Sequence, residues 1–199
     1  MKKLYFIRFA PLLLTFQANA EDFPNWYIGT HHSEQKITST PDREFNTLGI
    51  IAGYQYNQYL ALETRFSGGT SGYSHPFNVN KLPNAKYKEE IDTQKAILFK
   101  ASYPIGHGFN IYALAGITKS KYEITTTNSY TTIEGNTTTT YPYIYKHSES
   151  GINYGIGLNY QLSESFNFFI DFQTLPRLKI DSRESSTWKS TSLGVNYTF

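Results

Sequence analysis

Apolar and small polar residues alternate along this chain in short runs, up to its last residue. Leu193, Val195, Tyr197 and Phe199 share one face of an extended strand, while Ser192, Gly194, Asn196 and Thr198 share the other. Successive strand side chains point to opposite sides, so the period of two predicts a strand starting near Thr187. The same period recurs at about 26–33, 45–56, 59–67, 90–103, 110–124, 145–160 and 166–175. One face carries bulky groups: Trp26 and Ile28; Leu48, Ile50 and Tyr54; Leu62 and Phe66; Ile91, Ile97 and Phe99; Ile111 and Ile117; Ile152, Tyr154 and Ile156; Phe168, Ile170 and Phe172. The other face carries Gly, Asn, Ser, Gln and a few charges.

The eight predicted strands are joined by connections of alternating length. Those at Asn57-Gln58, Pro104 to Gly108 and Ser163-Glu164-Ser165 are short. Those at 34–44, 68–89, 125–144 and 176–186 are long. An even strand number with tight turns at one end and long loops at the other is the transmembrane barrel arrangement. A soluble eight-stranded barrel would put its apolar face inside, but such an interior only just holds its own side chains. Here the small residues suit the interior and the bulky ones suit lipid. Trp26, Tyr54, Tyr56, Tyr103, Tyr160 and Phe199 gather at the short-turn ends, as an interfacial girdle does. The expected fold is all-β, an eight-stranded antiparallel up-and-down transmembrane β-barrel with its long loops outside the cell.

Residues 1–20 stand apart. Lys2, Lys3 and Arg8 precede the apolar run Phe9 to Phe16, and Ala18-Asn19-Ala20 reads as a cleavage site. The run is too short to span a membrane and contains Pro11. A signal peptide over 1–20 and a barrel over 21–199 are expected. Without the leader's three bases, the 18 basic and 16 acidic side chains become 15 and 16, a formal charge of −1. That gives no support to nucleic-acid binding. With no cysteine there is no disulfide, thiol nucleophile or cysteine-ligated metal. The 17 Tyr and 14 Phe in a chain of mean hydropathy −0.45 fit a barrel, where only alternate residues meet lipid.

Lys100-Ala101-Ser102-Tyr103-Pro104-Ile105, Gly155-Ile156-Gly157-Leu158-Asn159-Tyr160 and the closing Leu193 to Phe199 resemble the transmembrane domain of outer membrane protein A and its small-barrel relatives, including the opacity proteins. Trp26-Tyr27-Ile28-Gly29 resembles that family's first strand. The resemblance covers the mature chain in order. It implies a Gram-negative outer-membrane barrel, folded by the barrel assembly machinery, which reads the terminal aromatic signal of Tyr197 and Phe199. The peptidoglycan-binding domain of larger members has no room after Phe199, so cell-wall tethering is not expected.

Glu63, Arg65, Lys100 and Asp171 fall on the inward face near mid-strand. Isolated buried charge is very costly, so these two acids and two bases are expected to pair as a lumen network, padded by Gln94, Asn153, Asn159 and Gln173. The resemblance implies the same inward ionic cluster. It departs at Leu114 and Phe169, where an inward Arg would be expected and apolar side chains instead help plug the lumen.

Lys95, Lys119, Lys121 and Lys189 have outward parity although they are cations. They are expected above the hydrocarbon, at the height of lipopolysaccharide phosphates. Other motifs carry less. His31 and His32 are adjacent and point to opposite faces, so with Glu34 they form no metal site. Lys146-His147-Ser148-Glu149 places neighbouring His and Ser on diverging faces, unsuited to a hydrolase. Asn136-Thr137-Thr138 matches a glycosylation sequon by chance. The Thr-rich stretches around Glu134-Gly135-Asn136 predict that the flanking strands continue outward as a hairpin.

The expected function is a non-enzymatic, monomeric outer-membrane barrel without cofactor, metal or catalytic residues. Its partners are outer-membrane lipid, lipopolysaccharide and a ligand on the extracellular loops. A lipid-modifying outer-membrane enzyme and a narrow small-solute channel are the alternatives.

Overall fold

The computed structural model describes residues 26–38, 41–79, 82–134, 137–178 and 186–199. The leader expected over 1–20, the Gly135-Asn136 tip and its sequon asparagine lie outside the described residues. The strands are β1 (Trp26–Ile37), β2 (Arg43–Gln55), β3 (Leu60–Ser71), β4 (Tyr73–Val79), β5 (Leu82–Gly106), β6 (Phe109–Glu134), β7 (Thr137–Gln161), β8 (Phe166–Leu178) and β9 (Ser186–Thr198). All pairings are antiparallel, in the order β3-β2-β1-β9-β8-β7-β6-β5-β4. A further β3–β5 pairing, from Leu60↔Ala101 to Gly68↔Thr93, closes eight of the nine strands into a barrel. With no free edge in the ring, every strand there satisfies its backbone without water, as lipid requires.

The alternation sorts side chains as expected over most of the ring. Outward Leu48, Ile50, Ile97, Phe99, Ile117, Ile152, Ile156 and Phe172 are exposed, while inward Glu63, Arg65, Asn153 and Asp171 are buried. Such a continuous apolar band cannot face water in a monomer. The tight turns carry the local signals. Gly106, His107 and Gly108 all take positive φ between β5 and β6, a conformation glycine adopts freely and His tolerates. Asn57 Oδ1 accepts from the amides of Tyr59 and Leu60 at 2.8 and 2.9 Å. Aromatics pair at this end, with Trp26 against Tyr54, Phe109 against Tyr160 and Phe166 against Tyr197.

Three local expectations are corrected. The 68–89 segment contains an additional strand, β4, which pairs with β5 from Tyr73↔Glu89 to Val79↔Leu82 once β3 has ended. The 34–44 segment is mostly strand, since β1 and β2 stay paired up to Ile37↔Arg43. Gln35, Ile37 and Phe45 there continue the inward face, and the outward charges Glu34 and Lys36 are tolerated above the hydrocarbon. Ile91, expected outward with Ile97 and Phe99, is buried inside. The ladder shifts between Ile91 and Thr93, and this bulge at Asp92 reverses the parity of β5 beyond it.

Two apolar clusters fill the interior. Tyr27, Ile51, Ala61, Ala96, Leu98, Tyr112, Leu114 and Phe169 surround the charges at mid-barrel. Ile37, Phe45, Ile91, Tyr122, Ile124, Leu175 and Trp188 close the outer mouth. Beyond this mouth β5, β6 and β7 run on while β1, β2, β8 and β9 stop. With β4 they form an outer sheet, paired up to Glu134↔Thr137.

Candidate functional site

The mid-barrel layer is built by repetition. Tyr27, Gly53 and Glu63 are successive cross-strand partners on β1, β2 and β3. Tyr112, Gly157 and Asp171 stand in the same relation on β6, β7 and β8. Each tyrosine lies over the intervening glycine: an added Cβ would come within 2.1 Å of Tyr27 Cζ at Gly53 and 2.3 Å of Tyr112 Cζ at Gly157. Each ring then delivers its hydroxyl to the acid two strands away. Tyr27 donates to Glu63 Oε2 at 2.8 Å and Tyr112 to Asp171 Oδ2 at 3.2 Å.

Arg65 joins the two halves. Its Nε donates to Glu63 Oε1 at 2.6 Å and its Nη2 to Asp171 Oδ2 at 2.8 Å. Gln173 completes Asp171, donating to Oδ1 at 2.6 Å. Asn153 bridges Thr118 and Gln173, and Gln94 links Gln35 to Ser120. Lys100 is brought to the layer but held apart. Its Nζ is 3.8 Å from Glu63 Oε2 and 4.2 Å from the centroid of the Tyr112 ring. Asn159 is not part of this layer; its amide donates to Asn167 nearer the short turns. Leu114 and Phe169 pack beside the charges, with the Arg65 guanidinium over the Phe169 ring.

A second polar node sits in the outer mouth, and sequence reasoning missed it. Glu89 is fully buried. Arg43 Nε donates to Oε1 at 2.7 Å and lies 2.6 Å from Oε2, and the hydroxyls of Tyr87 and Tyr122 also donate to this carboxylate. Burial and the Glu89 charge raise the phenols of Tyr87 and Tyr122 above the ordinary tyrosine range. Arg43 also caps the Tyr73 ring, so one carboxylate ties β2, β4, β5 and β6 together. Glu89 fell within a predicted loop. Only the bulge at Asp92 turns it inward, and no periodic signal marks a bulge.

On the outer surface, Lys95 and Lys119 are direct cross-strand partners, immediately above Ile97 and Ile117. Lys121 follows, opposite Thr93. Lys189 pairs directly with Lys36, which sequence reasoning did not include. Two strands separate these lysine pairs on either side of the barrel. Above them the edge of β7 is open. β7 pairs with β8 only from Tyr154↔Thr174 to Gln161↔Asn167, leaving one side of 137–153 without a strand partner among the described residues. Tyr143, Ile144 and Tyr145 are exposed along it.

The weaker motifs are scattered. His31 points inward to Ser67 at 3.1 Å, whereas His32 and Glu34 are exposed on the outside. His147 contacts Glu149 at 3.3 Å, and Ser148 lies on the other face. Among the described residues no three His, Asp or Glu side chains gather as a metal site.

The model of the outer membrane protein beta-barrel domain matches residues 9–199. No curated protein matches the chain in sequence. Among solved structures, Ail, the attachment invasion locus protein of Yersinia pestis, is 14% identical with a TM-score of 0.54, over 88% of this chain and 99% of that one. A second Ail structure is a complex with the heparin analogue sucrose octasulfate. Neisserial surface protein A is 14% identical with a TM-score of 0.55, over 87% of this chain and 97% of that one. The shared feature is the fold, a small closed barrel. The chain belongs to the outer membrane protein beta-barrel family and is a protein of the Gram-negative outer membrane.

Proposed function

We propose that this protein is a non-enzymatic surface-contact protein whose β4–β7 sheet engages a macromolecule outside the cell. The observation that carries this reading is the unpaired edge of β7, with Tyr143, Ile144 and Tyr145 exposed beside it. An open edge offers backbone donors and acceptors to an added strand, and alternate side chains select the partner. Pro142 and Lys146 restrict which strands can pair there. That Ail, a barrel of this fold, forms a complex with a heparin analogue supports a ligand-binding role here.

Catalysis and conduction are disfavoured by the same geometry. The His31–Ser67 pair is buried, and among the described residues His31 Nδ1 has no carboxylate partner to orient the ring. The charged layer and the outer apolar cluster obstruct the lumen in series. The reading includes a monomer, folded by the barrel assembly machinery through Tyr197 and Phe199. It also includes lipopolysaccharide as a neighbour of Lys95, Lys119, Lys121 and Lys189.

The test is adhesion of cells carrying the full chain or a variant in which an Asn-Gly turn joins Glu123 directly to Lys146, its ladder partner, removing Tyr143, Ile144 and Tyr145. Glycan-coated and protein-coated surfaces serve as targets. The shortened protein should keep its heat-modifiable gel shift and lose adhesion. Equal adhesion by both forms would refute the surface role.

A further inference from the structure

At the end of the barrel away from the outer sheet lies a cavity of about 530 Å³. The short turns surround its opening, and the mid-barrel layer forms its floor. Gln55, Asn110, Asn159, Gln161, Asn167 and Asn196 line its wall, and Glu164 is the only carboxylate in the lining among the described residues. Lys100 reaches it from the floor. The volume falls in the range of small-molecule sites.

Lys100 is the unusual member of the charged layer. Every carboxylate oxygen there is already served by another donor: Glu63 by Arg65 and Tyr27, Asp171 by Arg65, Tyr112 and Gln173. Lys100 is 9% exposed and donates no hydrogen bond among the described residues. Its 3.8 Å approach to Glu63 is about an ångström longer than a charge-assisted bond. The Tyr112 and Tyr27 rings face its ammonium without occupying its N–H groups. A buried cation with free donors therefore faces a cavity. Asn159 and Asn196 also line the cavity, although their carboxamide oxygens are packed into the wall, without a hydrogen-bond partner among the described residues.

We infer that this cavity is a binding site for a carboxylate-bearing sugar on the periplasmic side of the membrane. The ligand's carboxylate accepts from Lys100, and its hydroxyls meet carboxamides that both donate and accept. One ammonium beside two satisfied carboxylates suits a single negative charge; a doubly charged phosphate would be repelled by Glu63. An apolar ligand would leave the wall's carboxamides unpaired. The site lies across the membrane from the outer sheet and is independent of the surface role.

The test is nuclear magnetic resonance of the refolded chain in lipid nanodiscs, titrated with glucuronate, glucose and sodium chloride. Glucuronate should give saturable shifts at the Lys100 ammonium and at the Asn159 and Asn196 carboxamides. Glucose should bind about ten-fold more weakly, lacking the hydrogen bond to a charged group. Lys100→Gln should erase the preference for glucuronate over glucose. Should that variant fail to fold, Asn159→Ala with Asn167→Ala spares the charged layer and should weaken glucuronate several-fold. No saturable shift, equal binding of glucose, or the same shifts from chloride would each overturn the assignment.

Discussion

Arg65 and Asp171 stand on opposite walls of the barrel, with three strands between them in either direction, and meet at 2.8 Å. This contact crosses the lumen, so it works as a strut between walls as well as an ion pair. Arg65→Met leaves Glu63 and Asp171 buried without their strongest partner and should cost about 3–5 kcal/mol. Lys100→Met should cost clearly less, because other donors already serve both acids. Urea midpoints of the two refolded variants give the ranking; an equal or reversed order would contradict the strut.

The glycines that make room for the two tyrosines predict an asymmetry between faces. Gly157→Ala forces the Tyr112 ring off its route to Asp171 and should cost about 1–3 kcal/mol. Ala113→Val adds volume toward lipid and should change stability by less than about 0.5 kcal/mol. If both substitutions leave the midpoint unchanged, the glycine is not required by the ring.

Ile156 is 67% exposed between Ala113 and Phe172 on the neighbouring strands, amid the apolar band. Ile156→Arg should cost about 2–4 kcal/mol in a bilayer. Ser150, opposite Lys119, lies at the edge of that band, and Ser150→Arg should cost about 0–1 kcal/mol. Folding measurements in lipid vesicles compare the two; a costlier Ser150→Arg would displace the assigned membrane position.

Like charges directly opposite one another weaken a ladder. Lys95 facing Lys119 and Lys36 facing Lys189 are two such oppositions. A phosphate bound within each pair would reverse the sign. The triple change of Lys95, Lys119 and Lys189 to Gln should raise stability slightly in phosphate-free detergent and abolish the extra stability conferred by lipopolysaccharide. Retention of both lipid co-purification and lipid-dependent stability by the mutant argues against the lysine belt.

The Glu89 node makes the outer sheet sensitive to alkali. An unfolded tyrosine ionises near pH 10, whereas Tyr122 stays neutral in the folded protein because burial and then Glu89 oppose its charge. The stabilisation is complete below about pH 10 and is lost as pH rises beyond it. Hydrogen exchange should show β4–β7 amides losing protection there before those of the barrel. Tyr122→Phe should be weaker at neutral pH, having lost one bond to Glu89, and should depend less on alkali. Identical pH dependence in the two proteins would exclude Tyr122 as the titrating group.

Strand faces were legible in the sequence because lipid and lumen impose opposite demands on alternate residues. Leu48 and Ile51, both apolar, could be sent to opposite faces from their neighbours alone. Phase errors were not legible. The bulge at Asp92 changes no composition, yet it carries Ile91 and Glu89 inside. The roles of Tyr27 and Tyr112 were also hidden, since a tyrosine on the inward face reads as filler until the glycine beside it is placed. The strands above the hydrocarbon were cut short for a related reason: once lipid is gone, the outward face no longer has to be apolar, as Glu34 and Lys36 show.

The continuity of β6 and β7 has a mechanical consequence. From Lys119 to Glu134 the strand runs about 15 residues, up to roughly 50 Å, and is paired with β7 on both sides of one register shift between Thr126 and Tyr130. A pull on the far end acts along the strand axis and reaches the barrel as shear. The hydrogen bonds of the ladder then bear the load together instead of opening one after another, as they would under a sideways peel. The direction of an applied pull thereby determines how much force the outer sheet withstands before it unzips.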